Sequence, residues 1–291
     1  MTPQEYCAAK TAQSGSSFYY SFLSLPADKR RAIIALYAFC REVDDVVDAE
    51  SEPQVKRIKL EWWRDEVKRL FSGQAQHPIT LALTPVIAAY NLPMEYFREI
   101  LDGMEMDLYN STYATYKELS LYCYRVASVV GLMSAEIFGY QDRNTLKYAH
   151  ELGLAFQLTN IIRDVHEDAG KGRLYLPADE LAHYGVSPQD IRQGKQTAQF
   201  TALIKKQADR ALLHYHNAFA YLPECDRYTQ RAGLIMAGIY QCILREIIKD
   251  NYQVLQHRIS LPPWRKLWIL WSIKIREGLR HRRQKTFSTH D

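Results

Sequence analysis

The chain has 291 residues, 47% of them apolar and 24% charged, enough to bury a sizeable core in one large domain or two modest ones. Five cysteines, odd in number and without paired spacing, argue against a disulfide frame or a zinc site and fit reduced thiols in the cytoplasm. The net charge of +4 is unevenly spread: nine Lys/Arg against two acids from Leu255 onward make the tail +7 and leave the rest at −3.

The N-terminus lacks a signal pattern, and no uninterrupted apolar run approaches the roughly 18 residues that span a bilayer. Helical periodicity dominates and strand alternation is hard to find. It predicts helices near 27–50, 53–71, 78–90, 93–108, 116–139, 142–168, 198–222, 227–257 and 263–283. The expected fold is all-α: a single helical bundle around a partly hollow interior over residues 1–260, with a basic amphipathic helix and tail over 261–291. No glycine-rich strand-turn-helix unit announces a Rossmann site.

In chain order, the first stretch of interest is SGSSF, residues 14–18. Its hydroxyls and backbone N–H groups suit a phosphate, or form a plain loop or cap. YAFCREVDDVVD follows, in which Tyr37, Arg41, Asp44 and Asp48 form one helical stripe while Asp45 lies about 100° away from Asp44. Ile33, Ile34 and Ala38 around the stripe are apolar, so it extends an inward face. Alone, such acid pairs are common on solvated helices.

In LYCYRVASVVGLM, Tyr122 and Val126 share a face, and Ala127 and Gly131 open space beside it, for tight helix packing or for a slot. The next helix carries the second row. GLAFQLTNIIRDVHED sets Asn160, Asp164 and Asp168 four apart, with Gln157 three residues earlier and Arg163 alongside, among residues typical of a buried helix. Two inward oxygen rows need counter-charge, since unpaired buried carboxylates are costly. Mutual salt bridges are one answer. Hard divalent cations are another: Mg²⁺ takes one or two carboxylates and shares its remaining sites with water and phosphate. Several such ions between two rows would grip a diphosphate. Lys171 and Arg173 in the following GKGRLYLP either neutralise phosphate oxygens or sit on an ordinary turn. A carbocation left by a departing diphosphate would need π faces and exclusion of water; Tyr122 shares the slot's face, and Tyr240 in GLIMAGIYQCIL is either another wall residue or plain core packing.

From Leu152 to Pro177 the chain reads L-G-x3-Q-x2-N-I-x-R-D-V-x2-D-x4-R-x-Y-x-P, which resembles the second signature of the squalene and phytoene synthases. YCYRVASVVG resembles their first signature and YAFCREVDDVVD their first aspartate motif. The resemblance runs from about Ser14 to Arg258 and implies an isoprenoid (terpenoid) synthase fold that joins two prenyl diphosphates head to head (1′–1). It implies Mg²⁺, in more than one ion and replaceable by Mn²⁺, held by Asp44 and Asp48 on one wall and Asn160, Asp164 and Asp168 on the other. Ser17, Phe18, Tyr37, Arg41, Gln157 and Arg163 would line the diphosphate end. Tyr122, Tyr175 and Tyr240 would face the reacting carbons, and the family's late arginine falls at or beside Arg258.

SGSSFYYSFLSLP, DGMEMDL, GLAFQLTNIIRDVHEDA and LPPWRKLWI are similar to members that couple two farnesyl diphosphates to presqualene diphosphate for squalene and hopanoid synthesis. On that reading no NADPH is consumed, and a separate squalene-forming enzyme would take the product. The alternatives are a phytoene or dehydrosqualene synthase and, outside the class, a non-catalytic scaffold of the same fold.

In the tail, Trp264, Leu267, Trp268, Trp271, Ile275 and Leu279 recur at helical spacing among basic residues. The helix either packs on the bundle or lies in a membrane interface, which would make a cytoplasmic protein peripheral at the inner face of the membrane. Nucleic-acid binding has only the charge in its favour, with no reading motif.

Overall fold

The computed structural model describes residues 1–14, 18–109 and 112–288, with side chains as far as Arg283. Its first helix, α1 (Pro3–Gln13), was not expected from periodicity, yet its start is written in the sequence. Thr2 Oγ1 accepts from the Glu5 amide at 3.2 Å and the Glu5 carboxylate accepts from the Thr2 amide at 2.8 Å, a reciprocal cap. A short α2 (Phe18–Phe22) leads into α3 (Ala27–Asp48), α4 (Pro53–Phe71), α5 (Pro78–Tyr90) and α6 (Met94–Tyr109). Glu66 of α4 is fully buried, and its carboxylate accepts from the Gln76 and His77 amides at 2.8 and 2.9 Å, fixing the entry to α5.

The predicted helix over 116–139 is continuous but not regular. α7 (Tyr116–Cys123) widens into a π turn at Tyr124–Ser128 before α8 (Val129–Phe138). The extra residue in that turn re-aims Val126 and Ala127, as π turns do at functional sites. Tyr116–Phe138, though interrupted by Arg125 and Glu136, is long and apolar enough, by length and composition, to cross a membrane. In the fold it packs against α6 and α9 (Asn144–Gly170) instead. Asp226, fully buried, accepts from the Gln141 and Asp142 amides at 2.7 and 3.0 Å and so anchors the approach to α9.

Next come α10 (Ala178–Tyr184) and α11 (Pro188–Arg192), too short to show a period, and then α12 (Ala198–Tyr221) and α13 (Arg231–Lys249). The helix expected over 227–257 is shorter than that. It stops at Lys249 because Asn251 and Tyr252 take positive φ angles of 51° and 59°. The last helix, α14 (Pro263–Ser288), lies on α13: a Cβ on Gly238 would stand 2.8 and 2.9 Å from Ile273 and Ile269.

The apolar interior is divided. One cluster is built on α3 to α6 and the other on α9, α12 and α13, and Phe18 and Val126 touch both. Between the two lies a cavity of about 200 Å³. Its wall is made thin by glycine: a Cβ on Gly131 would meet the Ala149 carbonyl at 2.6 Å, and one on Gly153 would meet Ser128 Cα at 2.5 Å. Gly131 therefore serves both readings of its sequence, close packing and a lining position.

Because the obstacle at Gly153 is backbone, Gly153→Ala is expected to cost about 1–3 kcal/mol. Gly170→Ala, whose Cβ meets nothing within 4 Å, is the control. Thermal unfolding should show a lower Tm for the first and little change for the second; equal Tm values would contradict the close crossing.

Candidate active site

Three helices end together. Asp44 and Asp48 occupy the last two turns of α3, Asp107 the last turn of α6, and Asp164 and Asp168 the last two turns of α9. Each helix C-terminus adds about half a negative charge of its own. The aspartates feel one another across the gap. Burial raises the Asp44 carboxyl to about 6, against the pull of Arg41 and with help from Asp48 and Asp107. Burial first, and then Asp164, lift Asp168 to about 7. Burial also lifts Asp107 to about 6, although a hydrogen bond from Tyr175 opposes the shift.

Cations converge on the same place. Arg41 pairs with Asp44 at 2.8 Å. Arg173, from the loop after α9, reaches back to Asp48 at 2.7 Å and to the Val47 carbonyl at 3.0 Å, while Lys171 stands 3.8 Å from Asp48. Asp164 is gripped by Arg163 Nε at 2.8 Å and by Arg258 Nε at 2.7 Å, and these partners hold its carboxyl below the usual range in spite of burial. Asp45 turns elsewhere, as its angle on the helix predicted: it pairs with Lys10 at 2.8 Å and Arg41 at 2.6 Å.

Inward of the aspartates, Tyr37, Arg41, Asp44, Tyr122, Val126 and Gln157 border a polar chamber of about 180 Å³. Tyr37, Val126 and Gln157 also line the 200 Å³ apolar cavity, with Phe18, Ala127, Gly131 and Asn160. The two spaces are therefore adjacent, with Tyr37, Val126 and Gln157 in the wall of both. Phe18, Phe156 and Tyr240 form one aromatic corner with centroids 4.9–6.2 Å apart, and Tyr240 bonds to Arg163. The predicted Ser17 lies outside the described residues.

Asp107 was not singled out by the sequence reading, because a lone acid makes no row. It organises a second aromatic corner. The Tyr175 and Tyr122 hydroxyls donate to its two oxygens at 2.8 and 3.0 Å, and their rings stack at 5.1 Å. Tyr113 adds a third ring, 5.4 Å from Tyr122. A hint was present in DGMEMDL, where Asp107 is flanked by Met106 and Leu108 on a helix that faces the core.

The donors suit hard cations. The Asn160 Oδ1 atom is buried with no hydrogen-bond partner among the described residues, an acceptor held toward the cavity wall. Among the described residues no three His, Cys, Asp or Glu side chains form a ready-made cage. An ion here would take one or two protein oxygens and complete its shell from phosphate and water, which is the habit of Mg²⁺.

Comparison with known proteins identifies the family and the fold. The squalene/phytoene synthase family description is matched over residues 11–265. The chain belongs to that family. It is 37% identical over 278 residues to the 15-cis-phytoene synthase of Synechococcus elongatus, covering 90% of this chain and 89% of that one. Among solved structures, the family's isoprenoid-synthase fold recurs in the squalene synthase HpnC of Alicyclobacillus acidocaldarius. The match has a TM-score of 0.77 at 29% identity and covers 86% of this chain and 94% of that one. A ligand-bound dehydrosqualene synthase gives a TM-score of 0.81 at 28% identity, covering 94% and 95%. The family's members are prenyl-transferring enzymes.

The raised carboxyls have a consequence for stability. An acid that binds its proton more tightly when folded favours the folded state at low pH. That contribution is lost as pH climbs from the unfolded value near 4 through the folded value. For Asp44, Asp107 and Asp168 the window closes at about 6 to 7. Without added metal, the Tm is expected to be higher near pH 5.5 than near pH 8, and Asp168→Asn should narrow the difference. A difference left unchanged by Asp168→Asn would count against this origin.

Proposed function

We propose that the protein couples two molecules of farnesyl diphosphate, head to head, to presqualene diphosphate. The observation that carries this reading is the junction itself: a chamber bordered by Arg41 and Asp44 shares Tyr37, Val126 and Gln157 with an apolar cavity that is lined by aromatic rings and, from the second row, by Asn160. Asp44, Asp48, Asn160, Asp164 and Asp168 would hold Mg²⁺, which Mn²⁺ can replace. Bound there, the metal supplies Lewis-acid stabilisation of charge on a departing diphosphate.

The chain's own groups account for the rest. Arg41, Arg163, Lys171, Arg173 and Arg258 already face carboxylates and can exchange them for phosphate oxygens, giving charge-assisted hydrogen bonds. When the C1–O bond of one substrate breaks, its diphosphate leaves with the electron pair and C1 becomes cationic. The Tyr122–Tyr175 pair and the Phe18–Phe156–Tyr240 corner offer π faces to that cation and keep water away. The C2=C3 pair of the second substrate attacks C1. Loss of a proton, to the released diphosphate or a tyrosine hydroxyl, then closes the cyclopropane, leaving one diphosphate on the product. No reductant is needed, so NADPH is not expected to be consumed.

Phe22, Phe138 and Tyr148, all buried, are the bulky wall residues that limit how long a prenyl chain fits, and the fifteen-carbon substrate is retained from the sequence resemblance. A second reading, phytoene synthesis from geranylgeranyl diphosphate, is favoured by the names of curated relatives such as that of Synechococcus elongatus.

Incubation with Mg²⁺ and each diphosphate, without NADPH, separates the two readings by mass spectrometry. Presqualene diphosphate from farnesyl diphosphate is the expected product, and product from geranylgeranyl diphosphate alone would overturn it. Asp48→Asn and Asp164→Asn should each lower turnover by about a hundredfold or more. Undiminished turnover in both would remove the two-row metal clamp.

A further inference from the structure

α14 is apolar on two sides. Its inner side carries Ile269 and Ile273, which rest on Gly238, and the buried Glu277, which accepts from Arg227 at 3.2 Å. These contacts hold the helix on α13. The opposite side is a stripe of large apolar residues turned to solvent: Trp264 is 69% exposed, Trp268 63% and Trp271 58%, continued by Ile275 at 40% and Leu279 at 53%. At 100° per residue these five fall within about 80° of the wheel, with Arg265 and Arg276 along one border and Lys274 along the other. The two sequence expectations for this helix were framed as alternatives, and the fold satisfies the first without consuming the residues needed for the second.

The helix also begins near the second aspartate row. Arg258 is paired with Asp164 at 2.7 Å, and α14 starts five residues later at Pro263, within about 17 Å of that pair even if the link is fully extended. Lys266, in its first turn, lies over the Tyr20 ring at 5.8 Å, and Tyr20 belongs to the short α2 whose Phe18 lines the cavity.

We infer that the outer stripe of α14 docks the protein on a lipid bilayer surface bearing anionic headgroups, holding the mouth of the cavity against that surface. A stripe of three indoles bordered by cations matches the boundary layer of a bilayer, where amphipathic rings lie at headgroup depth and Lys/Arg meet anionic lipid. The bundle beneath fixes the helix parallel to its own surface, so it lies on the membrane and does not cross it. This inference does not depend on which prenyl chain the enzyme accepts.

The test uses the full chain and unilamellar vesicles of phosphatidylcholine, with and without phosphatidylglycerol. Co-sedimentation with the anionic vesicles and a blue shift of tryptophan emission are expected. The triple variant Trp264→Ser/Trp268→Ser/Trp271→Ser should bind about tenfold or more weakly and lose the shift, with helical circular dichroism unchanged. Its turnover of water-soluble diphosphate substrate without vesicles should match the parent, because none of the three indoles lines the cavity. Lys274→Gln/Arg276→Gln should weaken binding to the anionic vesicles more than to the neutral ones. Absence of binding by the parent, or equal binding by the triple variant, would overturn the proposal. So would a parent dimer that the triple variant converts to monomer with vesicle binding unaltered, which would make the stripe a contact between copies.

Discussion

The structure is organised around negative charge that has nowhere to disperse. The C-terminal ends of α3, α6 and α9 meet, each with a partial charge from its backbone and each with aspartates in its closing turns. Burial makes that charge expensive, which is why Asp44, Asp107 and Asp168 all take up protons more readily than ordinary carboxyls. The arginines answer this field. Arg163 and Arg258 close on Asp164 from within and beyond α9, and Arg173 crosses from the following loop to Asp48. On the proposed function, the same field that must be quieted in the free protein would favour divalent cations and the diphosphate they would accompany.

The apolar half of the site follows from a different constraint. Two cores meet at residues such as Phe18 and Val126, which touch both. Where α8 crosses α9 the chain uses Gly131 and Gly153 to bring backbones together, and the volume this saves lies beside the aspartates. The π turn at Tyr124–Ser128 places Val126 on the border between the polar chamber and the apolar one. The polar chamber and the apolar cavity are thus adjacent, with Tyr37, Val126 and Gln157 in the wall of both.

Much of this was legible in the sequence, because periodicity reports which residues share a face. The rows Asp44/Asp48 and Asn160/Asp164/Asp168 were readable from spacing alone, as was the angle of Asp45 away from them, though not its partner Lys10 on the unexpected α1. Asp107 was not. Its role depends on Tyr122 and Tyr175, brought to it from 15 and 68 residues away, and a single acid carries no period. The short α10 and α11 escaped because five to seven residues are too few for a repeat, and the end of α13 because two left-handed residues interrupt an otherwise helical pattern. α14 was read as a choice between two faces, since an apolar pattern shows that a face is buried or lipid-facing without saying how many such faces one helix has.

The contact between Arg173 and Asp48 joins residues 125 apart in the chain, and beside it an isolated bridge pairs Thr112 with Leu174. Closing so long a loop has an entropic cost that is recovered only when both helical halves are in place. Each half can condense on contacts between neighbouring helices, but the ends of α3 and α9 repel one another until the basic loop arrives. The order of assembly this implies is cores first, electrostatic centre last. The part of the molecule assigned the chemistry is also the part whose formation reports that folding is complete.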